Sequence, residues 1–171
     1  MPGCWTQLRL FEPRYLGMMA KISSQEQQFL MCLPFDNPQQ QPKGVLVRVT
    51  DFDPEVDGKL LIQIRGEGFY RLEQLEQDES SLWWAQAKPL HDLDDAWRPD
   101  MPAKVDQLYQ GLRQHPDLLS LVLPAEINSE QALNWLVTLL PFDATDRQLL
   151  LNCQSSAQRA ELITRWVQLQ D

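Results

Sequence analysis

From Gln28 to about Leu90 apolar residues recur at every second position, the signature of strands with one face buried. Phe29, Met31 and Leu33 alternate with Leu30 and Cys32, Val45, Val47 and Val49 with Leu46, Arg48 and Thr50, and Leu60, Ile62 and Ile64 with Leu61, Gln63 and Arg65. Between the second and third runs, Asp57-Gly58 tolerates the positive φ angles of a hairpin turn, so those runs are predicted to pair antiparallel. Gly66 and Gly68 bracket Glu67 and mark a bulge or tight bend before a further extended run, Phe69 to Leu75. A last strand, Trp83 to Pro89, follows the polar turn 77–81. Short strands at this spacing predict a small antiparallel barrel or folded sheet. One helix interrupts it: Pro13 suits a first turn that needs no N–H, Tyr15, Leu16, Met18, Met19 and Ile22 supply an apolar face, and the helix should end near Ser24. Residues 36–43, with neither periodicity nor apolar content, read as an exposed loop.

Near residue 92 the pattern changes. Val105, Leu108, Tyr109 and Leu112 follow i, i+3, i+4, i+7, and Leu133, Leu136, Val137 and Leu140 repeat that spacing, each set giving one amphipathic helix. Asn128 is placed as an N-cap with Gln131 reaching back, and Ser155 with Gln158 makes the same arrangement before a helix lined by Leu162, Trp166 and Leu169. Pro141 stops one helix, and Asp143 or Thr145 starts a short one containing Leu149 to Leu151. The expected fold class is therefore α+β: a β subdomain over residues 1–92 and a helical bundle over 93–171.

The composition permits this. With 171 residues, 43% hydrophobic and 23% charged, the chain can bury a core and is not of the disordered class. The best apolar run, Leu118 to Leu123, is interrupted by Ser120 and ended by Pro124, far short of the roughly 18 residues that span a bilayer. No membrane association is expected. Met1-Pro2-Gly3-Cys4-Trp5 has neither the basic nor the apolar region of a secretory leader, which points to the cytoplasm. Acidic side chains number 24 against 15 basic, a net charge of −9, and both halves carry the excess, so nucleic acid is not an expected partner. Cys4, Cys32 and Cys153 form no CxxC pair and read as reduced packing residues.

Catalytic chemistry finds little material. Asp53-x-Glu55-x-Asp57-Gly58 opens like a calcium loop, but Ile64 stands where a bidentate glutamate belongs and Pro54 disturbs the turn. Gly66-x-Gly68 lacks a third glycine and precedes a strand rather than a helix, against dinucleotide binding. No phosphate-cradling glycine-lysine loop is present, and His91 and His115 are too few for a triad or a histidine metal site. The expectation is a non-enzyme without metal or cofactor.

The aromatics say more. Trp83 and Trp84, consecutive in a strand, project from opposite faces, so only one can fill the interior of the sheet. The other either packs under the helical part or lines an exposed groove for an apolar peptide. Phe69-Tyr70 poses the same choice, with one ring expected in the core, and these four are the candidate peptide-binding residues. Trp97 is placed to seal the junction between the two parts.

Pro2-Gly3, then Leu8-Arg-Leu-Phe-Glu-Pro-Arg-Tyr-Leu16, closely resembles the start of the Lon protease N-terminal (substrate-binding) domain family, in particular its free-standing bacterial members. Gly44 to Val49, Gly58 to Ile64 and Gly66 to Arg71 resemble that family's middle hairpin and glycine-marked turn, and Leu139 to Asp143 with Asp146 to Leu150 its helical end. The resemblance implies a PUA-like β-barrel followed by a helical bundle, and no catalysis, since the ATPase and Ser-Lys peptidase modules of Lon follow this domain. It implies binding of unfolded or tagged polypeptides as a substrate-recognition or adaptor module, the alternative being an RNA-binding PUA-like domain. Family members begin with an apolar strand before the Pro-Gly, whereas this sequence begins at the Pro-Gly: either the start codon is misassigned or the domain lacks its first strand, and in the second case an unpaired strand edge is expected to invite a peptide or a second copy. Dimerisation or low stability is the expected result, and a monodisperse, highly stable monomer in sedimentation contradicts it.

Overall fold

The computed structural model describes residues 1–22, 28–35, 37, 41–90, 103–115, 118, 123–124 and 127–169. They fall into two compact units, Met1–His91 and Asp92–Asp171. The first holds strands β1 (Trp5–Leu10), β2 (Gln28–Cys32), β3 (Lys43–Pro54), β4 (Leu60–Gln77) and β5 (Trp83–Pro89), with helix α1 (Pro13–Ile22) between β1 and β2. All pairings are antiparallel in the order β1-β4-β3-β2, with β5 also on β4. Of the two shapes expected, the open folded sheet is the one formed.

The β3–β4 hairpin turns where the Asp57-Gly58 pair stands, and Gly58 takes the left-handed φ of +73° that a side chain resists. Two runs read as separate strands, 60–65 and 69–75, are one strand of 18 residues. The glycines do mark a bulge: the register shifts between Leu46 and Val47, opposite Gly68 and Gly66, so the chain bends without leaving the sheet. A second shift between Glu73 and Glu76 surrounds Gln74, whose φ is +50°. Val45, Val47, Val49, Ile62, Ile64 and Phe69 bury one face of the sheet, joined by Met19 from α1, Cys4, Leu72 and Leu82.

Period-two reading also missed β1. It pairs with residues 60–65, and just before it Gly3 N–H donates to the Gly66 carbonyl (2.9 Å) and Gly66 N–H to that of Cys4 (2.8 Å). A Cβ on Gly66 would overlap the backbone carbonyl of Met1. Strand β4 thus pairs with β3 on one side and with β1 and β5 on the other. Among the described residues, β2 has β3 as its strand partner. Cys32, at its end, is exposed, a correction to its reading as a packing residue, because the apolar alternation of β2 runs out there into the edge of the sheet.

The second unit contains α2 (Ala103–Gln114), α3 (Ser129–Leu139), α4 (Ala144–Asn152) and α5 (Ser156–Gln168). The predicted capping box at Asn128 forms, its side chain accepting from Gln131 N–H (2.8 Å) and Gln131 reaching back to the Asn128 N–H (3.3 Å). Asp143 caps α4, and Ser155 caps α5, but Gln158 reaches Gln154 N–H rather than that of Ser155. The core is Val105, Tyr109, Leu133, Trp135, Leu136, Leu150 and Ile163. Two arginines stitch the helix ends. Arg147 donates to the carbonyls of Val137, Leu140 and Phe142 at 3.0–3.3 Å, satisfying the orphan acceptors after α3. Arg159, 1% exposed, donates to Asn134 Oδ1 (2.9 Å) and the Leu150 carbonyl (3.3 Å). No helix among the described residues is long and apolar enough to cross a membrane.

Candidate functional site

The β4–β5 turn positions two adjacent exposed tryptophans, Trp83 and Trp84. Asp78 N–H bonds the Leu82 carbonyl (3.0 Å) and Ser81 N–H the Asp78 carbonyl (2.9 Å), with Ser81 at a φ of +63°. The Asp78 carboxylate then acts as the hub. Oδ1 accepts from Ser80 N–H (2.9 Å), Ser80 Oγ (2.5 Å) and Leu82 N–H (3.1 Å), and Oδ2 accepts from the Trp84 indole N–H (3.0 Å). These bonds, first from the Ser80 hydroxyl and then from the Trp84 indole, hold the Asp78 carboxyl well below the usual carboxylate range. A depressed carboxyl supports the folded turn above its unfolded pKa and loses that support only as pH falls through the folded value. The turn thus keeps its hub through mild acid.

Trp83 and Trp84 are 42% and 48% exposed, so neither fills the interior, contrary to the expectation that one would. The reason lies in the register. They pair with Gln77 and Glu76, beyond the stretch of β4 that lies over the core, and Leu82 takes the buried position at this end of the sheet. Each indole has a neighbour that sets its pose. Phe35 packs on Trp83 with ring centroids 5.2 Å apart at 59°, and the Lys21 ammonium stands 5.6 Å from the Trp84 ring centroid. Phe69 is buried and Tyr70 half-buried, as expected for that pair. Tyr70 pairs with Pro89, at the far end of β5 from Trp83, about 20 Å away at ~3.3 Å per residue. The four candidates are therefore not one cluster. Trp97 lies outside the described residues.

Next to Trp84, the outer face of α1 and the β4–β5 turn enclose an open cavity of ≈ 600 Å³. Its walls include Arg14, Gly17, Met18, Lys21, Ser80 and Leu82. Arg14, Gly17 or Met18, and Lys21 follow i, i+3/i+4, i+7 and so share one helix face. Arg14 pairs with Glu12 (2.7 Å), reaches the Ser81 carbonyl (3.4 Å) and lies over the Tyr15 ring. Periodicity could have flagged Arg14 and Lys21 as neighbours, and Asp78-x-Ser80 is a turn pattern. Their meeting with Trp84 is tertiary and left no local signal.

No group of three or more His, Cys, Asp or Glu among the described residues could hold a metal ion.

Comparison with known proteins agrees over nearly the full length. The model of a family described as the ATP-dependent protease La (LON) substrate-binding domain matches residues 1–168. No curated protein matches the chain. Among solved structures, a Lon N-terminal domain protein from Xanthomonas campestris is 25% identical, with 97% of this chain and 91% of that one covered and a TM-score of 0.71. The N-terminal domain of the Mycobacterium avium complex Lon protease is 13% identical, covers 98% and 91%, and has a TM-score of 0.66, a likeness of fold.

Proposed function

Since the chain belongs to the LON substrate-binding domain family, we propose that it is a non-catalytic module that binds unfolded or tagged polypeptides, through the surface around Trp83 and Trp84. The observation that carries this reading is the exposure of two adjacent indoles, each braced by a neighbour rather than covered. A braced, exposed tryptophan is already ordered, so little side-chain entropy remains to be lost when an apolar segment lies across it. Tyr70, on β4 opposite Pro89, lies at the other end of β5 and outside this surface, and Phe69 supports the sheet from within. The acidic surface, with a net charge of −9, favours polypeptide over nucleic acid. Self-association by strand addition would fall at an end of the strand order, β1 or β2.

The test is binding of unfolded casein by the W83A/W84A double variant. Both side chains are exposed, so the fold should be retained in circular dichroism, while affinity falls by roughly tenfold or more, the range of anchor tryptophans. Binding by the unaltered chain should depend only weakly on salt. Unchanged affinity in the double variant refutes the site, and a steep fall with salt would favour a phosphate-backbone ligand instead.

A further inference from the structure

The cavity beside Trp84 has a chemistry of its own. We propose that it takes a carboxylate carried on a short apolar stem, so that the bound polypeptide, whose recognition by this chain is the premise, is anchored by an acidic group next to the indole surface. Three observations converge. The first is charge: in a chain with nine more acidic than basic side chains by net charge, this cavity brings Arg14 and Lys21 together, with Glu12 as the one acid among the described lining residues and Asp78 outside the lining, held by the Trp84 indole N–H.

The second is the state of the Arg14 guanidinium, a planar fork of five donors suited to a carboxylate. One terminal nitrogen meets Glu12 at 2.7 Å, the other reaches the Ser81 carbonyl only at 3.4 Å, and Nε, shielded from solvent, has no hydrogen-bond partner. A donor buried without a partner is costly, and a carboxylate entering beside the fork would supply the missing acceptor. Glu12 already shows that the fork accepts that group.

The third is the lining between the cations. Pro13, Gly17, Met18 and Leu82 are apolar, so the ligand that fits is anionic at one end and apolar along its stem, which disfavours inorganic phosphate. A Cβ added at Gly17 meets nothing within 4 Å, so the space is open at the helix surface itself. Both a chain's terminal carboxylate on an apolar last residue and an internal Glu or Asp side chain present this chemistry.

Three fluorescent versions of one apolar peptide, read by anisotropy with the full chain, separate the cases: a free terminal carboxylate, a terminal carboxamide, and a carboxamide with an internal Glu beside Leu. The expected result is that the free acid or the internal-Glu peptide binds at least tenfold more tightly than the plain carboxamide, and whichever does identifies the source of the carboxylate. In Arg14→Gln that preference should vanish. Gly17→Leu guards against a folding artefact, because leucine is a better helix former than glycine and fills the cavity while keeping both cations in the chain. It too should abolish the preference while leaving carboxamide binding at the indoles intact. Equal binding of all three peptides overturns the carboxylate site and leaves the polypeptide reading standing. A preference that survives both substitutions also overturns it, by placing the anion elsewhere. Failure of every peptide to bind removes both readings.

Discussion

Gly66→Val is expected to destabilise the first unit by about 3 kcal/mol or more, a sum of overpacking and two lost backbone hydrogen bonds. The added side chain begins inside the volume held by Met1, whose carbonyl carbon would lie 2.7 Å from the new Cβ. The obstacle is backbone on both sides and cannot swing away like a side chain. Relief requires residues 1–4 to move, which breaks the bonds from Gly3 N–H to the Gly66 carbonyl and from Gly66 N–H to that of Cys4, and exposes the buried Cys4. Urea denaturation should show a lower midpoint, and amide exchange at Gly3 and Gly66 should lose its protection. Gly17→Ala is the control: on the open face of α1, it should be neutral or slightly stabilising. If Gly66→Val unfolds at the parental midpoint, the close approach of Met1 to Gly66 is wrong.

Arg159→Ala is expected to cost the helical unit about 3–5 kcal/mol, the sum of two buried acceptors deprived of their donor and the cavity left behind. Its guanidinium ties three helices together: it sits on α5, bonds the Asn134 side chain on α3, and bonds the Leu150 carbonyl in the last turn of α4, where a cation also meets the negative end of the helix dipole. Burial pulls its pKa below the ordinary arginine value, with Cys153 and Glu130 opposing that shift. Truncation leaves a cavity and two buried acceptors lacking that donor. Arg159→Met, which refills the volume, should lose less, and pairing it with Asn134→Leu should recover part of the remainder. Helical circular dichroism through a urea titration reads this directly. Equal midpoints for Arg159→Ala and the parent would show that the network carries no net stability.

What could be read in the sequence was local. Period-two apolarity located β2, β3 and β5, Asp57-Gly58 located the turn, and Asn128 with Gln131 located a helix start, because each signal is contained within a few residues. What escaped was set by partners distant along the chain. β1 shows alternation only over Gln7 to Leu10, too short to stand alone, and is a strand because residues 60–65 offer it an edge. The glycines at 66 and 68 read correctly as a bulge, yet nothing local says that the strand continues through it. At the candidate site, the two indoles were legible as a pair. Their exposure was not, since it depends on β5 pairing beyond the core, and Lys21, Phe35 and Asp78 reach them only through the fold.

The position of β1 also sets an order of events. β2 through β5 are consecutive antiparallel neighbours and can zip together as they emerge from the ribosome, whereas β1 is made first and has no place to dock until β4 has been synthesised. The first of the strands to be made thus waits on the fourth, and until it docks the side of residues 60–65 turned away from β3 stays bare.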